Sequence, residues 1–217
     1  MNNDTEKPAI YEGYWLPRET VLHGRYRIQD VIAEGGMGIV YLGYDPVLET
    51  KVSIKEYFPR RYAMRMPGKV CLQIYAGSSA EIFQTELEKF IKEARTLARF
   101  GALDSIVSVK DFFYENETGY MVMEYVEGTR VRNYIRKNGK MSGKQVLALM
   151  EPVIHSLCDI HKTGLIHRDI SIDNLMFDEN GQLKLIDFGA ARNVELPENT
   201  ITVSIKRGFS PEEQYRA

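Results

Sequence analysis

The chain has 217 residues, with 28 lysines and arginines against 30 aspartates and glutamates, a formal charge of −2. That balance gives no electrostatic reason to expect nucleic acid, and neither a signal-peptide pattern nor an apolar run long enough to span a bilayer occurs. Cys71 and Cys158 form no pattern, which points to free thiols and a cytoplasmic setting, and His23, His155, His161 and His167 lack metal-ligand spacing.

The length allows one domain or two lobes around a cleft. Residues 1–24 read as a flexible lead-in punctuated by Pro8, Gly13 and Pro17, although Tyr11, Tyr14, Trp15 and Leu16 have the surface to dock. The fold is expected to start at Arg25-Tyr26-Arg27-Ile28. In the stretch from Val31 to Leu42, strand-like runs flank Gly35-Gly36-Met37-Gly38, a hairpin whose small tip residues let backbone N–H groups approach phosphate oxygens. Val52-Ser53-Ile54-Lys55 is a short strand ending in a lysine.

Across residues 56–77, Pro67-Gly68 separates two strand-capable runs, which predicts a small hairpin insert. Its Arg60, Arg61, Arg65 and Lys69 read as a solvated face. The insert is expected to be peripheral, so that a Gly/Ser linker in place of residues 60–75 leaves nucleotide affinity unchanged.

From Ser79 to Phe100, Phe83, Leu87, Phe90, Ile91, Ala94, Leu97 and Ala98 recur at helical spacing. Strands follow at 106–114 and 120–125, with a polar turn over 115–119. Ser142 and Gln145 form a capping-box signature for a helix over 144–163, with Pro152 inside it and Gly164 at its end.

The most informative stretch runs from His167 to Gly189. Asn180-Gly181 between two apolar runs predicts a hairpin with a type I′ turn, whose two central residues need positive φ. Such a hairpin folds Asp187 back towards Asn174, giving two oxygen ligands for a hard cation, with Asp169 five positions earlier able to accept a proton from an attacking hydroxyl.

The order His167-Arg168-Asp169…Asn174, then Asp187-Phe188-Gly189, resembles the catalytic loop and Asp-Phe-Gly motif of protein kinases. With the glycine hairpin, the lysine strand, the helix and Ser210-Pro211-Glu212, six motifs stand in family order over residues 25–217. The Ile-Lys-Glu-Tyr-Phe-Pro string at 54–59 is similar to one branch of bacterial serine/threonine kinases. The resemblance implies an α+β, bilobal kinase-like fold: an N-lobe over 25–126 with an antiparallel sheet and the αC helix, and a partial helical C-lobe over 127–217.

It further implies ATP and Mg2+ as cofactors, and a protein substrate with a serine or threonine acceptor. Ala33, Glu34, Gly35, Gly36, Met37, Gly38 and Val40 would cover the nucleotide, Ala33 standing where the family has its first glycine. Ser53 would lie near the adenine, and Lys55 would reach the α/β-phosphates, held by Glu93 in preference to Glu86 or Glu88. Met123 would gate the adenine pocket, the backbones of Glu124 and Val126 would bind the base, and Met176 would line the same pocket. Asp169 would be the catalytic base, and Asn174 and Asp187 the magnesium ligands.

Thr129 and Arg130 stand where many kinases place a ribose-binding acid, and Ser171 where serine/threonine kinases commonly have lysine. A small-molecule phosphotransferase and a nucleotide-binding pseudokinase are the rival readings. Thr200, Thr202 and Ser204 are the phosphorylation candidates in the activation segment. The family continues with several helices beyond the position of Glu212, so residues 1–217 alone are expected to be a truncated domain, poorly stable and weakly active.

Overall fold

The computed structural model describes residues 13–101, 103–188, 192–193 and 208–215. They divide into two compact units. One takes the described residues up to Ile91 together with Phe112–Val122, and the other takes Lys92–Asp111 and the described residues from Met123 onward. The division is not a single cut after residue 126, because the end of the long helix and the segment after it go with the second unit.

The first unit is built on β1 (Val21–Leu22), β2 (Tyr26–Gly35), β3 (Gly38–Asp45) and β4 (Thr50–Tyr57). After these come β5 (Ala63–Met64), β6 (Gln73–Ile74), helix α1 (Ser78–Leu97), β7 (Val109–Glu115) and β8 (Thr118–Glu124). Six of the strands form one sheet in the order β1-β2-β3-β4-β8-β7. Strand β3 alternates half-buried and buried residues along its length, the period-two pattern that puts Ile39, Tyr41 and Asp45 on one face. In β4 the same alternation buries Val52, Ile54 and Glu56 and leaves Ser53 and Lys55 half-buried on the opposite face.

Helix α1 packs its buried residues Phe83, Leu87, Phe90 and Ile91 in this unit, with Tyr57 between the rings of Phe83 (5.1 Å) and Phe90 (5.7 Å). Gly119 lies under the helix. A Cβ there would stand 2.8 Å from Leu87 Cδ1 and 3.0 Å from Ile91 Cδ1, so this glycine serves packing and not the turn. The turn itself is Asn116-Glu117, both at positive φ (53° and 62°), the two-residue type I′ geometry.

Two expectations fail here. The folded unit begins before residue 25: Leu16 is buried, and Val21–Leu22 pairs with β2. The 56–77 insert does contain a hairpin, β5 with β6, but its basic residues are not all solvated. Arg65 is fully enclosed and paired with Glu56 of β4. A buried arginine requires such a partner, because an isolated charge in the interior is far too costly.

The second unit contains β9 (Gly128–Arg130), α2 (Val131–Asn138), α3 (Gly143–His161), β10 (Leu165–Ile166), β11 (Leu175–Asp178), β12 (Leu183–Leu185) and β13 (Arg192–Asn193). The capping box forms as the sequence predicts. Gln145 N–H donates to Ser142 Oγ at 3.3 Å, and Ser142 N–H donates to Gln145 Oε1 at 2.8 Å. Pro152 sits inside α3, and Gly164, at φ 79°, follows its end. Strands β12, β11 and β9 form a small antiparallel sheet.

The β11–β12 connection differs from the expected type I′ turn, because only Gly181 (φ 74°) has positive φ. The Gly181 amide donates to Asp178 O (3.0 Å), while the Asp178 carboxylate accepts from the amides of Asn180 (2.9 Å) and Gln182 (2.8 Å). This is the three-residue hairpin loop, a type I turn closed by a left-handed glycine.

Candidate active site

The candidate residues of the first unit gather on the β2–β3–β4 ribbon. Register places Val40 opposite Lys55 and Leu42 opposite Ser53, so these four side chains share one face of the sheet. The hairpin tip is Gly36-Met37, with Ala33 paired to Val40 and Glu34 to Ile39. A Cβ at Gly35 or Gly36 would meet nothing within 4 Å, whereas at Gly38 it would stand 2.1 Å from Glu56 O. The tip is therefore open for a ligand, and its returning stem lies flat on β4. The Met37 carbonyl accepts from the Phe58 amide at 3.1 Å, fixing that stem.

Of the three acids of α1 weighed as partners for Lys55, Glu88 faces solvent and Glu86 is engaged by Lys89 at 3.0 Å. Glu93 is half-buried, flanked by buried Phe90, Ala94 and Leu97.

In the second unit, β8 ends at Glu124 after the buried Met123. The Glu124 amide donates to Ser108 O at 3.0 Å, so a ligand at this point must use the Glu124 carbonyl. Its carboxylate accepts from Lys184 Nζ at 2.6 Å. Val126 follows outside the strand, and Met176 lies half-buried on β11 opposite Lys184.

The loop from His167 to Asn174 is held from within. Asn174 is buried, and its side-chain N–H2 donates to Asp169 O and to Asp169 Oδ2, both at 2.8 Å. With its nitrogen so committed, Asn174 Oδ1 is the atom it can offer a cation. The Ile186 amide donates to Asn174 O at 2.9 Å, which ties the residue before Asp187 to the same loop. Asn174 and Asp187 thus have an amide oxygen and a carboxylate to offer, hard donors of the kind that could hold a magnesium ion.

His167 is buried beside Phe188, with ring centroids 4.4 Å apart. Its Nδ1 accepts from the Asp169 amide at 3.2 Å, which leaves the ring proton on Nε2. Burial pulls its pKa down to about 4 against the opposing pull of the Asp187 and Asp169 carboxylates, so the ring is neutral at pH 7. Arg168 sits at φ 66°, and its carbonyl accepts from Gln214 Nε2 at 2.9 Å. Asp173 is gripped by Arg132 of α2, whose NH2 donates to Oδ2 at 2.7 Å.

Gly189, Thr200, Thr202 and Ser204 lie outside the described residues. Among those described, sequence reading missed Arg65 on Glu56, Lys184 on Glu124, Arg132 on Asp173, and the contacts of Tyr14, Trp15 and Arg60 with Glu34. Aromatic residues clustered just ahead of a fold are the one signal that pointed towards the last of these.

The glycine hairpin and lysine strand of the first unit, and the Asp169–Asn174 loop with Asp187-Phe188 in the second, are the features on which the resemblance to protein kinases rests. The protein kinase domain profile matches residues 26–216, and the chain belongs to the protein kinase family. It is 35% identical over 183 residues to serine/threonine-protein kinase PrkC of Bacillus subtilis, covering 83% of this chain and 24% of that protein. It is 32% identical to serine/threonine-protein kinase PknL of Mycobacterium tuberculosis, over 84% of this chain and 41% of that one. The solved structure described as "PpkA-294 apo form" superposes with a TM-score of 0.73 at 36% identity, covering 81% of this chain and 62% of that one. The chain therefore spans between about a quarter and two fifths of the length of these curated relatives.

Proposed function

We propose that this chain is the catalytic module of a serine/threonine protein kinase, moving the ATP γ-phosphate to a serine or threonine hydroxyl of a protein. The observation that carries the reading is the double hydrogen bond from the Asn174 amide to Asp169. It orients a carboxylate for an acceptor hydroxyl and turns an amide oxygen towards a cation with one side chain. Asp169 orients the hydroxyl and takes its proton as the phosphoryl group arrives. Asn174 and Asp187 would hold Mg2+, which would supply positive charge to offset that of the phosphates. By the kinase resemblance, Lys55 would contact the α/β-phosphates and Glu93 would be its partner. By the same resemblance, backbone amides from Ala33 to Gly38 would cover the phosphates, and Val40, Ser53, Met123 and Met176 would contact the adenine. The Glu124 carbonyl and the Val126 backbone bind the base.

The serine/threonine names of PrkC and PknL favour that acceptor class over a small molecule. Exposed free thiols at Cys71 and Cys158 suit a reducing, cytoplasmic setting. Among the described residues no helix is long and apolar enough to cross a membrane. The test is Lys55→Met in the full natural protein. A folded variant is expected to lose most phosphoryl transfer, and near-normal turnover would show that Lys55 is not the phosphate ligand.

A further inference from the structure

We infer that residues 13–16 and the 56–77 insert form a clamp on the glycine hairpin and on the back of the Lys55 strand, which makes Tyr14, Trp15, Arg60 and Arg65 positioning residues for nucleotide. The inference rests on reading residues 33–40 as the phosphate-covering loop.

The clamp meets the hairpin at Glu34. One oxygen of that carboxylate, Oε2, accepts from Tyr14 O–H at 2.9 Å and from the Trp15 indole N–H at 3.2 Å. Arg60 of the insert pairs with the same carboxylate, donates to Tyr14 Oη at 3.1 Å, and lies 5.0 Å over the Tyr14 ring. In the tip beyond Glu34, a Cβ added at Gly35 or Gly36 would meet nothing within 4 Å. Its geometry is therefore set by its two stems, Glu34 on one side and Met37 O on the Phe58 amide on the other. Phe58 belongs to the same clamp, 6.0 Å from the Tyr14 ring and 5.2 Å beneath the Arg65 guanidinium.

The clamp also reaches the back of β4. Arg65 donates to Tyr14 O at 2.9 Å and to Val70 O at 3.0 Å, joining the lead-in to the insert, and pairs with Glu56. Glu56 accepts in addition from Tyr41 Oη (2.9 Å) and Tyr120 Oη (2.8 Å), and Tyr41 Oη accepts from the Leu16 amide at 3.2 Å. Glu56 is the neighbour of Lys55 and points from the opposite face of the strand. One continuous set of hydrogen bonds thus runs from the phosphate-loop stem, through the lead-in and the insert, to the residue behind the phosphate lysine. Holding a glycine-tipped hairpin before ligand arrives lowers the ordering cost of binding. The clamp's effect is therefore expected on nucleotide affinity more than on chemistry.

Trp15 is the chain's only tryptophan, so its emission reports on the Glu34 stem directly. The experiment titrates the full natural protein with Mg2+ and a non-hydrolysable ATP analogue, following the part of its tryptophan emission that a Trp15→Phe variant lacks and, separately, binding by calorimetry. The wild type is expected to show a saturable change in emission with the same midpoint as calorimetric binding. Tyr14→Phe/Arg60→Met is expected to weaken binding and raise KM for ATP about three- to tenfold, with kcat within about twofold. Arg60→Lys is expected to restore part of the loss. A silent Trp15 at saturating nucleotide, or unchanged affinity in the double variant, overturns the clamp while leaving the kinase reading intact. Absence of nucleotide binding to the wild type by calorimetry overturns both.

Discussion

The side-chain amide of Asn174 donates to the main-chain oxygen and to the carboxylate of Asp169, each at 2.8 Å. The two side chains are coupled, so on the proposed roles a change at Asn174 would alter a cation ligand and the orientation of the base together. Asn174→Asp keeps the size but removes both donors and sets a second carboxylate against Asp169. Phosphoryl transfer is expected to fall by roughly a hundredfold or more, the scale of losing a positioned base. Single-turnover rates measure this, and a loss under about fivefold would mean that the pair does not orient the base.

Arg65 and Glu56 make the complementary case for stability. Both side chains are fully enclosed, so removing one strands the other. Arg65→Met is expected to cost roughly 3–5 kcal/mol in denaturant unfolding. Pairing it with Glu56→Gln, which removes the orphaned charge, is expected to recover a large part of that. A cost below about 1 kcal/mol for Arg65→Met would show that the pair is not buried in solution.

The buried neutral His167 predicts a pH dependence. Its folded pKa, pulled down to about 4, lies below the ordinary 6.5, so the unfolded chain binds the proton more tightly. Stability from this group is complete above pH 6.5 and is lost as pH falls from 6.5 towards 4, by about 3 kcal/mol in all. Asp45 behaves separately. Hydrogen bonding to Arg25, opposed by burial, holds its carboxyl below the usual value, so its contribution is lost only below about pH 4. His167→Phe is expected to flatten the slope between pH 6.5 and 4.5, measured as unfolding free energy against pH. An unchanged slope would assign it to another group.

Gly38 and Gly36 separate packing from openness within one hairpin. A Cβ at Gly38 would collide with Glu56 O at 2.1 Å, a backbone atom that cannot move without breaking the β3–β4 ladder. Gly38→Ala is expected to lower the melting temperature by several degrees, and Gly36→Ala to change stability by less than about 0.5 kcal/mol. Equal melts for the two variants would contradict the described register.

The strands, the long helix and the capped helix were legible because each carries a strong local signal: period-two alternation in β3, helical spacing in α1, Ser142 and Gln145 three apart. The Asp169–Asn174–Asp187 order was read through its resemblance to the kinase catalytic loop and Asp-Phe-Gly motif, and the structure adds the Asn174–Asp169 hydrogen bonds. What escaped depends on distant partners. Arg65, among other basic residues, reads as surface until its burial against Glu56 is seen, since arginine is rarely buried unless paired. The Asn180-Gly181 signal fits both the two- and the three-residue hairpin loop, and the Asp178 carboxylate decides between them by accepting two amides. Gly119 read as a turn residue because its role comes from Leu87 and Ile91 on a helix far away in sequence.

The most direct test of the account is transfer of labelled γ-phosphate from ATP to a serine/threonine protein substrate, or to the chain itself, by the full natural protein and by its Asp169→Asn variant, with nucleotide affinity measured alongside. The account predicts Mg2+-dependent transfer by the natural protein. It predicts a loss of at least about a hundredfold in Asp169→Asn with nucleotide still bound. Magnesium-dependent transfer that survives Asp169→Asn, or nucleotide binding by the natural protein without any transfer, would contradict it.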